Sequence, residues 1–242
     1  MEPSNQITIG SCSGDCTLVI MAKAPKPGVV KTRLAQSLPR AAVVELYRCL
    51  LDDTMALARS LDDVQVAIMC PASDVEDLSR AVGNAVPVVA QSGDGLAAGL
   101  TSVFAHFAAA GRRRVVAFNS DSPHLPASIL RSAFRALAQC DVVVGPTHDG
   151  GYYLVGATAS HRGLFAGDGL GTTNAFEALL GRVRALGLSV SLTDPFYDID
   201  VADDLSRLAS ELQRVPARAP RTAEWLMQWR KATPPEQSGG DR

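Results

Sequence analysis

Five short stretches of the chain carry side chains and spacings able to do chemistry. The first, AKAPKPGVVKTRLA, follows an apolar run and places Lys23, Lys26, Gly28, Lys31 and Arg33 within eleven residues. Pro25, Pro27 and Gly28 keep this backbone out of regular structure. Cations held in such a loop neutralise phosphates, Arg as a planar fork and Lys as a point charge, while a solvated charged loop is the other outcome for the same residues. Neither the Walker pattern G-x-x-x-x-G-K-[ST] nor the dinucleotide pattern G-x-G-x-x-G occurs, so the standard P-loop and Rossmann assignments lack their carriers.

Three carboxylates come next. Asp121, in FNSDSPHLP, falls at the tip of an apolar run, where an acid serves as a turn residue or as a ligand to a hard cation. Asp198 and Asp200, in FYDIDVADDL, alternate along an extended stretch and so point to one side. Asp203 and Asp204 read instead as first-turn acids of the following helix. Asp121, Asp198 and Asp200 together are the ligand set that Mg²⁺ or Mn²⁺ takes when phosphate oxygens and waters complete the shell. Between these segments lies GPTHDGGYYLVG, in which Asp149, Gly150, Gly151 and Tyr152 allow a hairpin turn, a close approach of backbone to a ligand, or both. In QSGDGLAAGL, Asp94 stands where it would cap a helix, with Gly93 and Gly95 leaving room beside Gln91 for a base or sugar.

The elements that must position these groups alternate in type. Apolar runs at 17–22, 64–70, 87–91, 114–121, 141–146, 151–157 and 189–193 have strand length. Helix-period segments lie at 39–60, 74–82, 96–110, 126–139, 174–186 and 202–214. This order predicts an α/β fold, a three-layer α/β/α sandwich around a mostly parallel, mixed sheet. Two strands separated only by PTHDG require one of them to run antiparallel. In such a sheet ligands bind beyond the C-terminal strand ends, which is where every stretch named above falls.

The 242 residues suffice for one domain. The expected division is a loose lead-in at 1–16, a single domain at 17–214 and an extension at 215–242. Within that extension AEWLMQWRK could pack back on the domain or form a homodimer contact. Lys and Arg number 23 against 25 Asp and Glu, a net charge of -2, which excludes the strongly basic character of nucleic-acid or anionic-membrane binders. No apolar run reaches the roughly 18 residues of a membrane span and no signal-peptide order opens the chain, so a cytoplasmic protein is expected. The cysteines are five, an odd number set mostly in apolar segments, which reads as reduced thiols. Cys12 and Cys16 leave a metal pair or an unstructured start as alternatives.

Taken in order, AKAPKPGVVKTRLA, QSGDGL, NSDSPHLP, GPTHDGGYYLVG and YDIDVADDL resemble the DUF2064 group of GT-A-fold proteins, of the nucleotide-diphospho-sugar transferase superfamily, over about residues 17–212. The skeleton is also similar to guanylyltransferases that build a phospholactyl or phosphoenolpyruvyl dinucleotide. Asn119 stands where many of these relatives have Gly, and Val201-Ala202 replaces a frequent Thr-Pro.

The resemblance implies a metal-dependent transferase acting on a nucleotide-sugar, or on a nucleoside triphosphate in the guanylyltransferase-like case, with a small-molecule acceptor. Ala22, Lys23, Ala24, Gly28, Lys31, Arg33, Gln91, Gly93, Asp94, Asn119, Ser120 and Asp121 would line the nucleotide. Lys31, Arg33 and Asp121 would act in catalysis, and Asp149, Gly150, Gly151 and Tyr152 would face the acceptor. Asp121, Asp198 and Asp200 would hold Mg²⁺ or Mn²⁺.

Overall fold

A computed structural model describes residues 15–83, 86–167, 169–172 and 174–232. Cys12 lies outside these residues. The strands are β1 (Cys16–Met21), β2 (Val64–Cys70), β3 (Val88–Ala90), β4 (Arg114–Asn119), β5 (Val142–Pro146), β6 (Tyr152–Ala157) and β7 (Val190–Leu192). They form a seven-stranded sheet in the order β3-β2-β1-β4-β6-β5-β7. β6 runs antiparallel to both β4 and β5, and the other pairs are parallel, as the short PTHDG connection demands.

Both sheet faces are covered, because alternate residues of each strand are apolar on opposite sides. Leu18 and Ile20 of β1 join Val116 and Phe118 of β4 in one cluster with α1 (Arg40–Arg59), α2 (Val75–Val82) and α4 (Ala127–Ala136). Val19, Val115 and Ala117 face the other way, onto α3 (Gly95–Ala109) and α5 (Ala175–Ala185). The three-layer α/β/α sandwich is therefore present. A further cluster sits on the outer side of α1. There Leu46 and Leu50 meet Leu205, Leu208 and Leu212 of α6 (Ala202–Arg214) and Leu226 of α7 (Pro220–Ala232).

α7 is fastened at its start. Pro220 occupies the first helical position, where its missing N–H costs nothing, and buried Asp53 of α1 accepts from Arg221 N (3.1 Å), Thr222 N (2.7 Å) and Thr222 Oγ1 (2.7 Å). The tryptophans, half-buried, pack against the domain. Trp225 and Trp229 stack at 5.4 Å beside that cluster. Cys49, Cys70 and Cys140 are free thiols. Among the described residues no helix is long and apolar enough to cross a membrane.

The chain order defines a switch point. From β1 it moves outward through β2 to β3, then returns to place β4 on the other side of β1. The loops leaving β1 and β4 consequently diverge and open a crevice at their C-terminal ends.

Candidate active site

The loop after β1 enters this crevice with a fixed shape. Ala22 N donates to Met69 O (3.2 Å), Lys23 N to the Tyr47 hydroxyl (3.2 Å) and Ala24 N to Asp74 Oδ2 (2.9 Å). These three N–H groups hold the loop in shape. Lys26 is turned away as well, paired with Asp74 at 3.1 Å and Asp77 at 2.8 Å. Gly28 takes φ +76, a conformation glycine adopts freely. Val30 (5% exposed) and Leu34 (0%) anchor the loop's far end in the core, and Ala35 N donates to Lys31 O.

Lys31 stands between those anchors at φ +48, left-handed backbone that a non-glycine residue adopts only when its surroundings impose it. Its side chain is 5% exposed, and its ammonium lies 2.8 Å from Asp121 Oδ2 and 3.8 Å from Asp200 Oδ1. Arg33 reaches Asp200 Oδ2 at 2.8 Å from a mostly exposed position. Lys31 and Arg33 are therefore matched with acids from two distant segments, Lys31 withdrawn from solvent and Arg33 still open to it.

Backbone contacts bring those acids together. Beyond β7, Thr193 N donates to Val144 O and Phe196 N to Pro146 O, so the chain continues along β5. It then docks on the loop after β4, where Ile199 N donates to Asp121 O (3.0 Å) and Ser122 Oγ to Tyr197 O (3.0 Å). Tyr197 and Ile199 are buried while Asp198 and Asp200 are half-buried, the alternation expected of an extended stretch. His124, fully buried, packs tilted against Phe196 and edge-on against Tyr197 and helps to seat this segment. Burial lowers its pKa to about 3, so it packs as a neutral ring.

Asp204 has the expected first-turn role. It accepts from the N–H groups of Asp200 (2.9 Å) and Val201 (2.8 Å), starting α6 and fixing Asp200.

Asp121 is positioned by a chain of hydroxyls. The Tyr47 hydroxyl is 3.1 Å from Ser120 Oγ, which donates to Asp121 Oδ1 (3.2 Å), and Asn119 Oδ1 accepts from Asp121 N (3.3 Å). Ser120 is buried, so it supports the acid rather than facing a ligand. Burial pushes the Asp198 carboxyl up to about 6, opposed by Lys31 and reinforced by Asp121 and Asp149. Asp149, on the β5–β6 turn, is held below its ordinary range chiefly by the Thr147 hydroxyl, with Arg33 contributing.

The remaining candidates divide. Asp149 and the half-buried Gly150 lie on the turn closed by the Thr147 N to Gly151 O bond, and Gly150 has φ +88. A Cβ on Gly151 would come 2.8 Å from Thr147 Oγ1. Tyr152 points elsewhere, packed with the α3–α5 cluster and 3.5 Å from Leu170 O. On the loop after β3, the Gln91 amide donates to Gly93 O (2.9 Å), and Gly93 and Gly95 take φ +78 and +81. Asp94 sits at the N-cap of α3 but its exposed side chain makes no capping bond, which corrects the expected cap.

Two positioning residues escaped sequence reading. Asp74 follows a Pro and looks like a helix-start acid, and Tyr47 falls in the periodic apolar pattern of α1. Each acts on partners 24 to 73 residues away, which no local spacing reveals.

As for a divalent cation, three carboxylates are the right donor chemistry for Mg²⁺ or Mn²⁺. Among the described residues, however, no group of three metal-ligating side chains is arranged as a ready-made site, and the Lys31 ammonium lies between Asp121 and Asp200. The donor chemistry suits a hard cation, which requires both that ammonium to move aside and the carboxylates to turn inward.

Comparison with known proteins agrees with this architecture. The DUF2064 family model, described as an uncharacterized protein conserved in bacteria, matches residues 54–172. A crystal structure from Desulfovibrio desulfuricans G20, provisionally described as a nucleotide-diphospho-sugar transferase, shares 26% identity with a TM-score of 0.83, covering 90% of this chain and 96% of that one. A nucleotidyl transferase from Methanothermobacter aligns at 18% identity and TM-score 0.59, covering 84% and 100%. The 4-diphosphocytidyl-2C-methyl-D-erythritol synthase of Anaerococcus prevotii DSM 20548 aligns at 11% and 0.53, covering 82% and 96%. The chain thus has the nucleotide-diphospho-sugar transferase fold. No curated protein matches it significantly.

Proposed function

We propose that this chain, which the DUF2064 family model matches over residues 54–172, is a metal-dependent transferase that moves a glycosyl group from a nucleotide-diphospho-sugar to a small-molecule acceptor. One observation carries the reading: Lys31 and Arg33 are brought onto Asp121 and Asp200 in the crevice between β1 and β4. Lys31 and Arg33, already gathered at the crevice, neutralise charge that develops on the departing diphosphate. Asp121, Asp198 and Asp200 would hold Mg²⁺ or Mn²⁺, which supplies further charge stabilisation at the diphosphate. Asp149 and the Gly150-Gly151 turn border the acceptor side, where positioning rather than proton chemistry provides most of the acceleration.

A second reading is favoured by the pairing of two cations at one acid cluster. Lys31 and Arg33 together suit a triphosphate, so that a phosphorylated acceptor attacks the α-phosphorus and pyrophosphate leaves. Incubation with Mg²⁺, nucleoside triphosphates, nucleotide-sugars and a metabolite extract, followed by phosphorus NMR and mass spectrometry, separates the two. Free nucleoside diphosphate with a glycosylated acceptor, lost in Asp121→Ala, is the expected result. Acceptor-dependent pyrophosphate establishes nucleotidylyl transfer. No turnover, with nucleotide bound equally by wild type and Asp121→Asn, overturns both and leaves a binding protein.

A further inference from the structure

The ammonium that occupies the acid cluster bears on how a metal and a nucleotide enter it. Lys31 is not a flexible surface lysine. Its backbone is pinned between buried Val30 and Leu34, its side chain is 5% exposed, and its ammonium contacts Asp121 at 2.8 Å and Asp200 at 3.8 Å. The same cluster also contains Asp198, and Asp149 adds negative potential. With Lys31 and Arg33 present, four carboxylates face two cations, so the crevice is net negative and repels a bare phosphate. A divalent ion alone is drawn to the carboxylates but must approach the fixed ammonium.

We propose that Lys31 is the resident counter-ion of the cluster, making metal and nucleotide bind together far better than either binds alone. The inference rests on the metal-dependent reading above. When both arrive, the carboxylates turn to the metal and the terminal carbons of Lys31 rotate the ammonium onto a phosphate oxygen. Each charge then keeps a partner. When only the metal arrives, the ammonium loses Asp121 and gains nothing. The two ligands are therefore coupled through one side chain, and by linkage each raises the other's affinity by the same factor.

The test measures Mn²⁺ affinity by electron paramagnetic resonance in wild type, Lys31→Met and Lys31→Arg, with and without each of ADP, GDP, CDP and UDP. Lys31→Met keeps the buried stem and removes the charge. It should bind Mn²⁺ alone about tenfold tighter than wild type, because a repelling charge is gone. The strengthening of Mn²⁺ binding by the effective nucleotide, which includes direct metal–phosphate bonding, should be at least about tenfold smaller than in wild type. Lys31→Arg, which retains the charge, should keep the weak wild-type affinity for Mn²⁺ alone, and it preserves the comparison if the methionine variant folds poorly.

Lys31→Met binding Mn²⁺ alone no more tightly than wild type overturns the counter-ion role. If wild-type binding of Mn²⁺ with nucleotide is then intact and lost in Asp121→Asn, the metal-dependent reading survives that failure. No Mn²⁺ binding by wild type with any nucleotide removes both.

Discussion

Replacing Asp198 by Asn should make the protein more stable, with a dependence on pH that identifies the cause. Burial pushes this carboxyl from the ordinary 3.8 up to about 6, Asp121 and Asp149 add to the rise, and Lys31 opposes it. A carboxyl with a higher pKa in the folded than the unfolded chain binds more protons when folded, so stability falls as pH rises between the two values. The deficit is absent below about pH 3.8, grows through about pH 6 and is constant above. The gap corresponds to about 3 kcal/mol at 1.36 kcal/mol per pH unit, and partial solvent access reduces it to about 1–3 kcal/mol. Asn keeps the shape and cannot ionise. In EDTA at pH 8, Asp198→Asn should therefore melt about 2–10 °C above wild type, whereas near pH 4 the difference should shrink to a few tenths of a kcal/mol. Thermal and urea denaturation followed by circular dichroism provide both numbers. A variant less stable than wild type at pH 8, or an equal difference at both pH values, refutes the assignment of a buried, charge-crowded carboxylate. The same substitution should weaken Mn²⁺ binding in the presence of nucleotide, a cost to function of the kind expected when a site stores unfavourable charge.

Asp53→Ala leaves two N–H groups at the start of α7 and the buried Thr222 hydroxyl without their acceptor, and should cost about 2–4 kcal/mol. Both tryptophans of the chain lie in α7, so the Trp fluorescence transition in urea should shift ahead of the circular dichroism transition, and an unshifted fluorescence midpoint contradicts the capping role. Tyr47→Phe removes the hydroxyl joining Lys23 N to Ser120 and should destabilise by about 1–3 kcal/mol. In a double-mutant cycle with Ser120→Ala the two effects should be non-additive by at least about 0.5 kcal/mol, and simple additivity argues against the relay to Asp121.

Local pattern alone determined the layer architecture and the alternation of Asp198 with Asp200, because period-2 and period-3.6 hydrophobicity states which face of each element is buried. It also required one of the two strands flanking PTHDG to run antiparallel, since five residues cannot return a chain for parallel pairing, while only the structure shows that it is β6. Motif order carried the resemblance to a transferase family, and the solved structure sharing 26% identity and 90% of this chain has the fold which that resemblance implies. What the sequence could not state was how the basic loop spends its charges. Lys26 is committed to Asp74 and Asp77, Lys31 to Asp121, and Arg33 to Asp200 across 167 residues. The N–H groups of Ala22, Lys23 and Ala24 likewise serve the fold, and Asp94 does not cap its helix. Pairings of this kind depend on which strand ends the topology sets side by side. Coulomb attraction and hydrogen bonding act over a few ångströms, whatever the separation along the chain. The sequence thus supplied the cations and carboxylates, and only the crossing of the chain between β1 and β4 decided which of them would meet.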